Sequence, residues 1–230
     1  VRSFLMSAAA FWIDKYHVDG LRMDAISNII HWHGNKDLGE NEGALHFIKR
    51  MNYHLSEAYK GVMLIAEDSS DFANVTKATQ DGGLGFDYKW DLGWMNDTLK
   101  YLEKDPIYRK WHHNNITFSM AYFYSERFIM EFSHDEVVHG KGSMAGKMPG
   151  MSLEDKFANL RTAYGFMMGH PGKKLLFMGQ DFGQLDEWNE NVQLEWELLD
   201  YPIHGRMKEY VKELNHLYRS YPALYKKDYQ

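Results

Sequence analysis

The sequence predicts an α/β protein with a parallel β-sheet, and two observations lead to this prediction. Short apolar runs alternate along the chain with segments of helical periodicity, which is the order that α/β proteins show. The run at residues 62–66 is almost unbroken in its apolar character, as is typical of a parallel strand covered on both faces. The sequence contains no repeat, low-complexity tract or Pro/Ser linker, so we predict one domain over residues 1–230.

Five strands are predicted, at residues 18–24, 62–67, 84–88, 128–133 and 174–179. Helical spacing of apolar residues predicts helices that end at Tyr16, at Tyr59 and before Pro171, and a Ser152–Asp155 capping box opens the third of these. Further helices are predicted after the first strand, at about 93–103, at 117–124 and from Arg206. The first helix has no cap and no initiator Met precedes it, so we expect the chain to be a piece of a longer protein.

Composition argues against several classes of function. The 230 residues include no cysteine, which rules out disulfides and thiol chemistry, and their formal net charge of −6 disfavours nucleic acid as a partner. No apolar run approaches membrane length, so no membrane partner is predicted. His134 and His139 are separated by a spacing that does not share one helix face, and we predict no metal site.

Carboxylates follow three of the predicted strands, at the points where each strand gives way to a loop. These residues are Asp24, Glu67 and Asp135. In a parallel α/β barrel the carboxyl ends of the strands meet at one rim, so we expect the three side chains to converge there. Each also has a purely structural interpretation, in which Asp24 and Glu67 cap helices and Asp135 binds backbone groups of its loop.

Two carboxylates on either side of one bond perform glycosidic chemistry, in which one attacks or stabilises the anomeric carbon and the other delivers a proton. Alternation along the first strand places Arg22 on the same side as Asp24, where its charge favours the ionised carboxylate that a nucleophile needs. Glu67 has no cation in its own strand. We therefore expect the negative charges of Asp24 and Asp135 to raise the pKa of Glu67 into the range of a working acid.

The motifs around these residues show a family resemblance. DGLRMD, AED and SHDE are similar to sequence regions of the α-amylase superfamily, and the longer strings GGLGFDYKWDLGWMNDTL, SHDEVVHGKGS and KLLFMGQDFGQ resemble bacterial 1,4-α-glucan (glycogen) branching enzymes. The resemblance covers essentially all of the chain. It implies the C-terminal part, about strands 4–8 with their helices, of a TIM-type (β/α)8 barrel. The first three strands and the flanking β-domains of that family are absent from residues 1–230.

The resemblance also implies a role for each candidate residue. Asp24 matches the nucleophile, Glu67 the acid/base and Asp135 the acid that holds the glucose ring. Arg22 and His134 match basic substrate-binding residues of the same subsite. The implied reaction is a retaining double displacement on linear α-1,4 glucan or glycogen, with transfer to a 6-hydroxyl. It requires no metal or organic cofactor, and the implied location is the cytoplasm.

Two alternatives stay open at this point. An α-amylase-type hydrolase would use the same carboxylates with water as the acceptor. A non-catalytic glucan-binding or structural fragment would need none of them. A partial barrel also leaves strand edges and apolar surface uncovered, so we expect the isolated chain to be inactive or weakly active and to self-associate through the exposed barrel edges.

Overall fold

Strands are interspersed with helices along the chain in a computed structural model, which describes residues 1–227. The strands are β1 (Gly20–Met23), β2 (Met63–Ala66), β3 (Tyr88–Trp90), β4 (Phe128–Phe132) and β5 (Lys173–Leu176). The α-helices are α1 (Arg2–Tyr16), α2 (Ser27–Ile30), α3 (Glu42–Ala58), α4 (Leu92–Leu102), α5 (Pro106–Arg109), α6 (Asn114–Thr117), α7 (Met144–Lys147), α8 (Leu153–Gly169) and α9 (Pro202–Ser220). The chain divides into two compact units, one formed by residues 1–90 with 124–128 and the other by residues 91–123 with those from 129 onward.

The first unit is built on the parallel strands β1, β2 and β3. β1 pairs with β2, Gly20 lying opposite Met63, and β2 pairs with β3. A Cβ at position 20 would lie 2.9 Å from the Met63 carbonyl oxygen, so a glycine there lets the two backbones approach. The core of this unit joins strand residues with residues of the helices and loops around them: Ile13, Ile26, Ile30, Leu45, Phe47, Ile48, Met51, Leu55, Leu64, Ala66, Val75, Leu84 and Phe86.

Helix α3 forms where the sequence predicts a helix. The Asn41 side chain accepts a hydrogen bond of 3.2 Å from the Ala44 N–H and so caps the first turn. The apolar residues Leu45, Ile48, Met51 and Leu55 recur at helical spacing and are buried, together with the polar Asn52. Helix formation and core burial therefore follow from one sequence pattern.

The predicted third strand is misplaced by several residues. The sequence predicts 84–88, whereas the structure has β3 at Tyr88–Trp90. Gly85 adopts a φ of 80°, which is incompatible with a strand, and the Leu84 N–H donates to the Asn74 carbonyl. Leu84 and Phe86 are buried as a strand would bury them, but in an irregular segment that packs into the core.

The second unit contains the parallel pair β4 and β5, with Ile129 opposite Lys173. The predicted capping box is present, because the Ser152 side chain accepts from the Asp155 N–H while the Asp155 carboxylate accepts from the Ser152 N–H. Helix α9 begins four residues earlier than predicted, at Pro202, since proline is well suited to the first helical turn. The helix predicted at 117–124 is instead the short helix α6 followed by a 3₁₀ turn at Phe118–Ala121.

Among residues 1–227, no helix combines the length and the apolar composition needed to cross a lipid bilayer.

Strand β4 carries a fully buried acid, Glu131. Its Oε2 accepts a hydrogen bond of 3.0 Å from the Asp91 N–H. Burial, and then the negative charge of Asp91, raise the pKa of Glu131 well above the ordinary value for glutamate. The buried side chain is therefore stable as a neutral acid over a pH range in which an exposed glutamate is ionised.

We predict that Glu131 makes the protein less stable as the pH rises. The folded chain binds a proton at Glu131 that the unfolded chain releases near the ordinary pKa. The stabilisation is therefore complete below that value and is lost progressively as the pH climbs towards the raised pKa, by up to about 1.4 kcal/mol per pH unit. Urea unfolding at a series of pH values should show a flatter dependence in Glu131→Gln. Glu213→Gln, on the exposed side of α9, is the matched control, and an equal flattening there would contradict the prediction.

Candidate active site

The first group of candidate residues lies at the carboxyl ends of β1 and β2. The parallel register places Met23 opposite Ala66, so the residues that follow, Asp24 and Glu67, leave the sheet side by side. Two backbone hydrogen bonds of 2.9 Å fix this arrangement, from the Glu67 N–H to the Met23 carbonyl and from the Ile26 N–H to the Glu67 carbonyl. The two carboxyl groups are thus neighbours although they are far apart in the sequence.

Arg22 connects the two carboxyl groups. Its Nη2 lies 2.9 Å from an Asp24 oxygen, and its Nη1 donates to Glu67 Oε2. The same Glu67 oxygen accepts a 3.2 Å hydrogen bond from the Ala25 N–H, and the Asp24 and Glu67 carboxyl groups are hydrogen-bonded to each other. The Arg22 guanidinium carbon lies 4.3 Å from the ring centroid of Trp90, a distance at which the ring face attracts the cation.

The two carboxyl groups differ in their exposure to solvent. The Asp24 side chain is 74% exposed, whereas that of Glu67 is 17% exposed. Burial, followed by the hydrogen bond to Asp24, raises the pKa of Glu67, and the Ala25 N–H and the Arg22 charge oppose this rise without cancelling it. The expected rise is confirmed, but its leading cause is burial, whereas the sequence pointed to neighbouring charge. Glu67 therefore retains a proton at a higher pH than an exposed glutamate and can deliver it to a leaving group.

The structural interpretation of these two residues as helix caps does not fit the geometry. In the described part of the chain, the N-cap of α2 is Ile26 and makes no side-chain cap hydrogen bond. Residues 67–78 contain no helix that Glu67 could cap.

The sequence did not predict two contacts of this group, that of Arg22 with Glu67 and that of Trp90 with Arg22. A strand predicted at Tyr88–Trp90 could have revealed the position of Trp90 beside Arg22.

The second group, His134 and Asp135, follows β4 in the second unit. Both lie in a 3₁₀ turn at His134–Val137, which begins with the Ser133 hydroxyl accepting from the Asp135 N–H at 3.2 Å. The His134 Nε2 lies 3.4 Å from an Asp135 carboxylate oxygen. The two side chains line an open cleft of about 630 Å³, with Val138, His139, Asp186, Glu187, Trp188, Asn189 and Glu190.

A carboxylate fixes the loop beside this cleft. Glu187 accepts hydrogen bonds from the Gly140 N–H at 3.1 Å and the Gly142 N–H at 2.6 Å. Those N–H groups hold the pKa of Glu187 below its usual value. Both glycines have positive φ values, 80° and 73°, which other residues adopt only at a cost, so these positions need glycine to present their N–H groups in this way.

No cluster of three His, Cys, Asp or Glu side chains among residues 1–227 is placed to hold a metal ion.

Comparison with known proteins adds to this geometry. No family model matches the chain. A protein of Bacillus caldolyticus is 54% identical over 229 residues, one of Halothermothrix orenii 53% over 240 and one of Shewanella sp. (strain MR-4) 51% over 240, and each is named 1,4-alpha-glucan branching enzyme GlgB. The chain is similar from end to end to 1,4-α-glucan branching enzymes. The resemblance predicted from the sequence is confirmed.

The matches to these branching enzymes cover 100% of the chain but only 34%, 38% and 32% of the three relatives, respectively, so the chain spans about a third of their length. Two solved structures share its fold. Ttha1563 from Thermus thermophilus has a TM-score of 0.67 at 16% identity, over 97% of this chain and 45% of that one. An alpha-amylase from Geobacillus thermoleovorans, complexed with acarbose, has a TM-score of 0.59 at 17% identity with the same coverage. The predicted fold class, part of a (β/α)8 barrel, is confirmed.

We predict that Asp24→Asn lowers the pKa of Glu67. The substitution removes a negative charge that disfavours ionisation of Glu67, and the new amide can donate to the ionised carboxylate. Arg22→Met should have the opposite effect, because it removes a favourable positive charge. Carbon-13 NMR of the Glu carboxyl groups across a pH titration measures both shifts, with the Glu67 signal assigned from Glu67→Gln.

The matched control is Asp71→Asn, which removes an exposed carboxylate from the segment that follows β2. This variant should leave the Glu67 titration in place. A Glu67 titration that is the same in Asp24→Asn as in the unmodified chain would show that the two carboxyl groups are not coupled.

Proposed function

We propose that this chain is a catalytic-barrel segment of a 1,4-α-glucan branching enzyme, which cuts an α-1,4 glucan and transfers the cut chain to a 6-hydroxyl to make an α-1,6 branch. The observation that carries the proposal is the pair at the ends of β1 and β2: an exposed Asp24 and a largely buried Glu67, joined by Arg22. The end-to-end similarity to proteins of that name supports the choice of substrate and reaction.

In the first step Asp24 attacks the anomeric carbon of the donor glucan. The bond from that carbon to Asp24 forms as its bond to the leaving 4-oxygen breaks, and the proton of Glu67 passes to that oxygen. Exposure favours this division of labour, because Asp24 is mostly exposed and Glu67 mostly buried, while Arg22 contacts both. Entry of the sugar between the carboxyl groups breaks their hydrogen bond and separates them to the roughly 5–5.5 Å that a retaining pair needs.

In the second step Glu67, now ionised, takes the proton of an incoming 6-hydroxyl. The 6-oxygen attacks the anomeric carbon, and Asp24 leaves as a carboxylate. Two inversions give net retention, so the new α-1,6 bond has the anomeric configuration of the bond that was cut. Both groups return to their starting protonation states.

The roles of the second group are proposed from the motif resemblance alone. Asp135 would hold hydroxyl groups of the glucose ring as an acceptor, and His134 would bind the same sugar. The proposed partner is linear α-1,4 glucan or glycogen, and the proposed location is the cytoplasm. We further propose that residues 1–230 form one partial catalytic domain, lacking the first three strands of the barrel and its flanking β-domains.

We predict that this chain can replace its counterpart in a complete relative. Exchanging it for the aligned segment of the Halothermothrix orenii protein, 53% identical to it, should give a chimera that branches amylose. Asp24→Asn and Glu67→Gln in the chimera should each lower the branching rate by about 1,000-fold or more, because each removes a group on which a bond-making step depends. Asp71→Asn is the matched control and should retain the activity.

The assay follows iodine colour and reducing ends together. Branching lowers the iodine colour without a matching rise in reducing ends, whereas an α-amylase-type hydrolase raises reducing ends steadily. Hydrolysis as the main outcome would replace the proposed reaction with the hydrolase alternative. Full activity in Asp24→Asn would remove the nucleophile assignment and leave a glucan-binding or structural role.

The isolated chain should be inactive or weakly active and should self-associate. In the described part of the chain β1 pairs only with β2 and so forms an edge of the sheet, and exposed strand edges recruit other strands. Size-exclusion chromatography with light scattering should show species larger than the 27.0 kDa chain. A monomeric chain that branches amylose as fast as a complete relative would contradict both expectations.

A further inference from the structure

Residues 67 and 68 are anchored to opposite neighbours in the first unit. The backbone and side chain of Glu67 bond to the end of β1. The side chain of Asp68, the next residue, points away from that contact and pairs with Lys89 of β3, its Oδ2 lying 2.8 Å from Lys89 Nζ. The ion pair is buried, with side-chain exposures of 0% for Asp68 and 8% for Lys89.

The other Asp68 carboxylate oxygen fixes the turn that follows. Oδ1 accepts from the Ser70 N–H at 3.0 Å and from the Ser70 hydroxyl at 2.7 Å. Lys89 Nζ also donates to the Ser70 carbonyl at 3.2 Å. Aspartate and lysine thus hold one residue, Ser70, by its amide, its hydroxyl and its carbonyl.

Stability alone does not account for such an arrangement. Removing two charges from water costs several kcal/mol per ion, and apolar residues of the same size would serve a core as well or better. A buried, fully hydrogen-bonded pair instead holds its surroundings in a single geometry, because few other arrangements satisfy all of its donors and acceptors. The residue immediately before it is Glu67, whose carboxyl must meet Arg22 and Asp24.

We propose that the Asp68–Lys89 ion pair is a positioning unit for Glu67, fixing the turn at residues 68–70 so that the Glu67 carboxyl is held against Arg22 and the Ala25 N–H. This proposal rests on the proposed function in one respect, namely that Glu67 is the proton donor. Asp68 and Lys89 act on Glu67 through the backbone rather than through their charges, which are opposite and largely cancel at a distance. Neither residue touches the substrate.

The first test is the titration of Glu67 in Asp68→Leu/Lys89→Met, which removes both charges of the pair. Loss of the ion pair loosens residues 68–70, so the Glu67 carboxyl gains water and its pKa falls towards the ordinary value. The matched control is Asp71→Leu/Lys36→Met, which removes an exposed ion pair of the same segment and should leave Glu67 unchanged. An unchanged Glu67 titration in Asp68→Leu/Lys89→Met, or an equal shift in the control, overturns the proposal.

The second test needs no substitution. Amide hydrogen exchange in the unmodified chain should show the Ser70 N–H protected to the same degree as the Glu67 N–H, since both donate within one rigid segment. Exchange of the Ser70 amide at the rate of an unstructured peptide would overturn the proposal, whether or not Asp68→Leu/Lys89→Met folds.

The third test uses the chimera. Asp68→Leu/Lys89→Met should lower kcat by about 10- to 100-fold, the cost of a small misplacement of a reacting group, with little change in KM, and should shift the alkaline limb of the pH profile to lower pH. A change in KM alone overturns the proposal. Absence of branching in the unmodified chimera would instead contradict the proposed function, while the Glu67 titration and the Ser70 exchange would still decide the role of the ion pair.

Discussion

The register between β1 and β2 is the constraint on which the rest of the site depends. It pairs Met23 with Ala66, and the backbone bonds that continue it bring Glu67 beside Asp24. A slip of one residue would turn every side chain of one strand to the opposite face. Arg22 would then lose at least one of its two carboxyl partners. The close approach at Gly20, which a side chain would obstruct, belongs to the same register.

Given that register, the two carboxyl groups differ in their hydration. Arg22 contacts both, so the cation alone does not distinguish them. Asp24 is mostly exposed and Glu67 is mostly buried, and burial penalises the charged form of a carboxyl group. The buried member is therefore suited to carry the proton and the exposed member to attack. What distinguishes the two carboxyl groups chemically is therefore their access to water.

The sequence was sufficient for those parts of the site that depend on local pattern. Period-two alternation correctly placed Arg22 with Asp24, and the end of an apolar run correctly placed Glu67 at a strand end. Contacts between strands could not be predicted from the sequence, because they depend on the register of the strands and not on the spacing of residues along the chain. Trp90 and Lys89 were missed for a specific reason: the apolar residues Leu84 and Phe86 mimic a strand, although the left-handed Gly85 between them excludes one.

The two units hold their strand-end acids by the same physical device. Glu67 is followed by the buried Asp68, which pairs with a lysine that also binds a backbone carbonyl of the turn. Asp135 is likewise followed by a largely buried acid, Glu136. Lys141 lies 3.9 Å from Glu136 Oε1 and donates to the Asp135 carbonyl at 2.6 Å. In each case a lysine pairs with the acid that follows the strand-end carboxyl group and also binds a backbone carbonyl of the same loop. In the strings AED and HDE the second acid is thus the buried one, and it pairs with a lysine that binds the backbone of the loop.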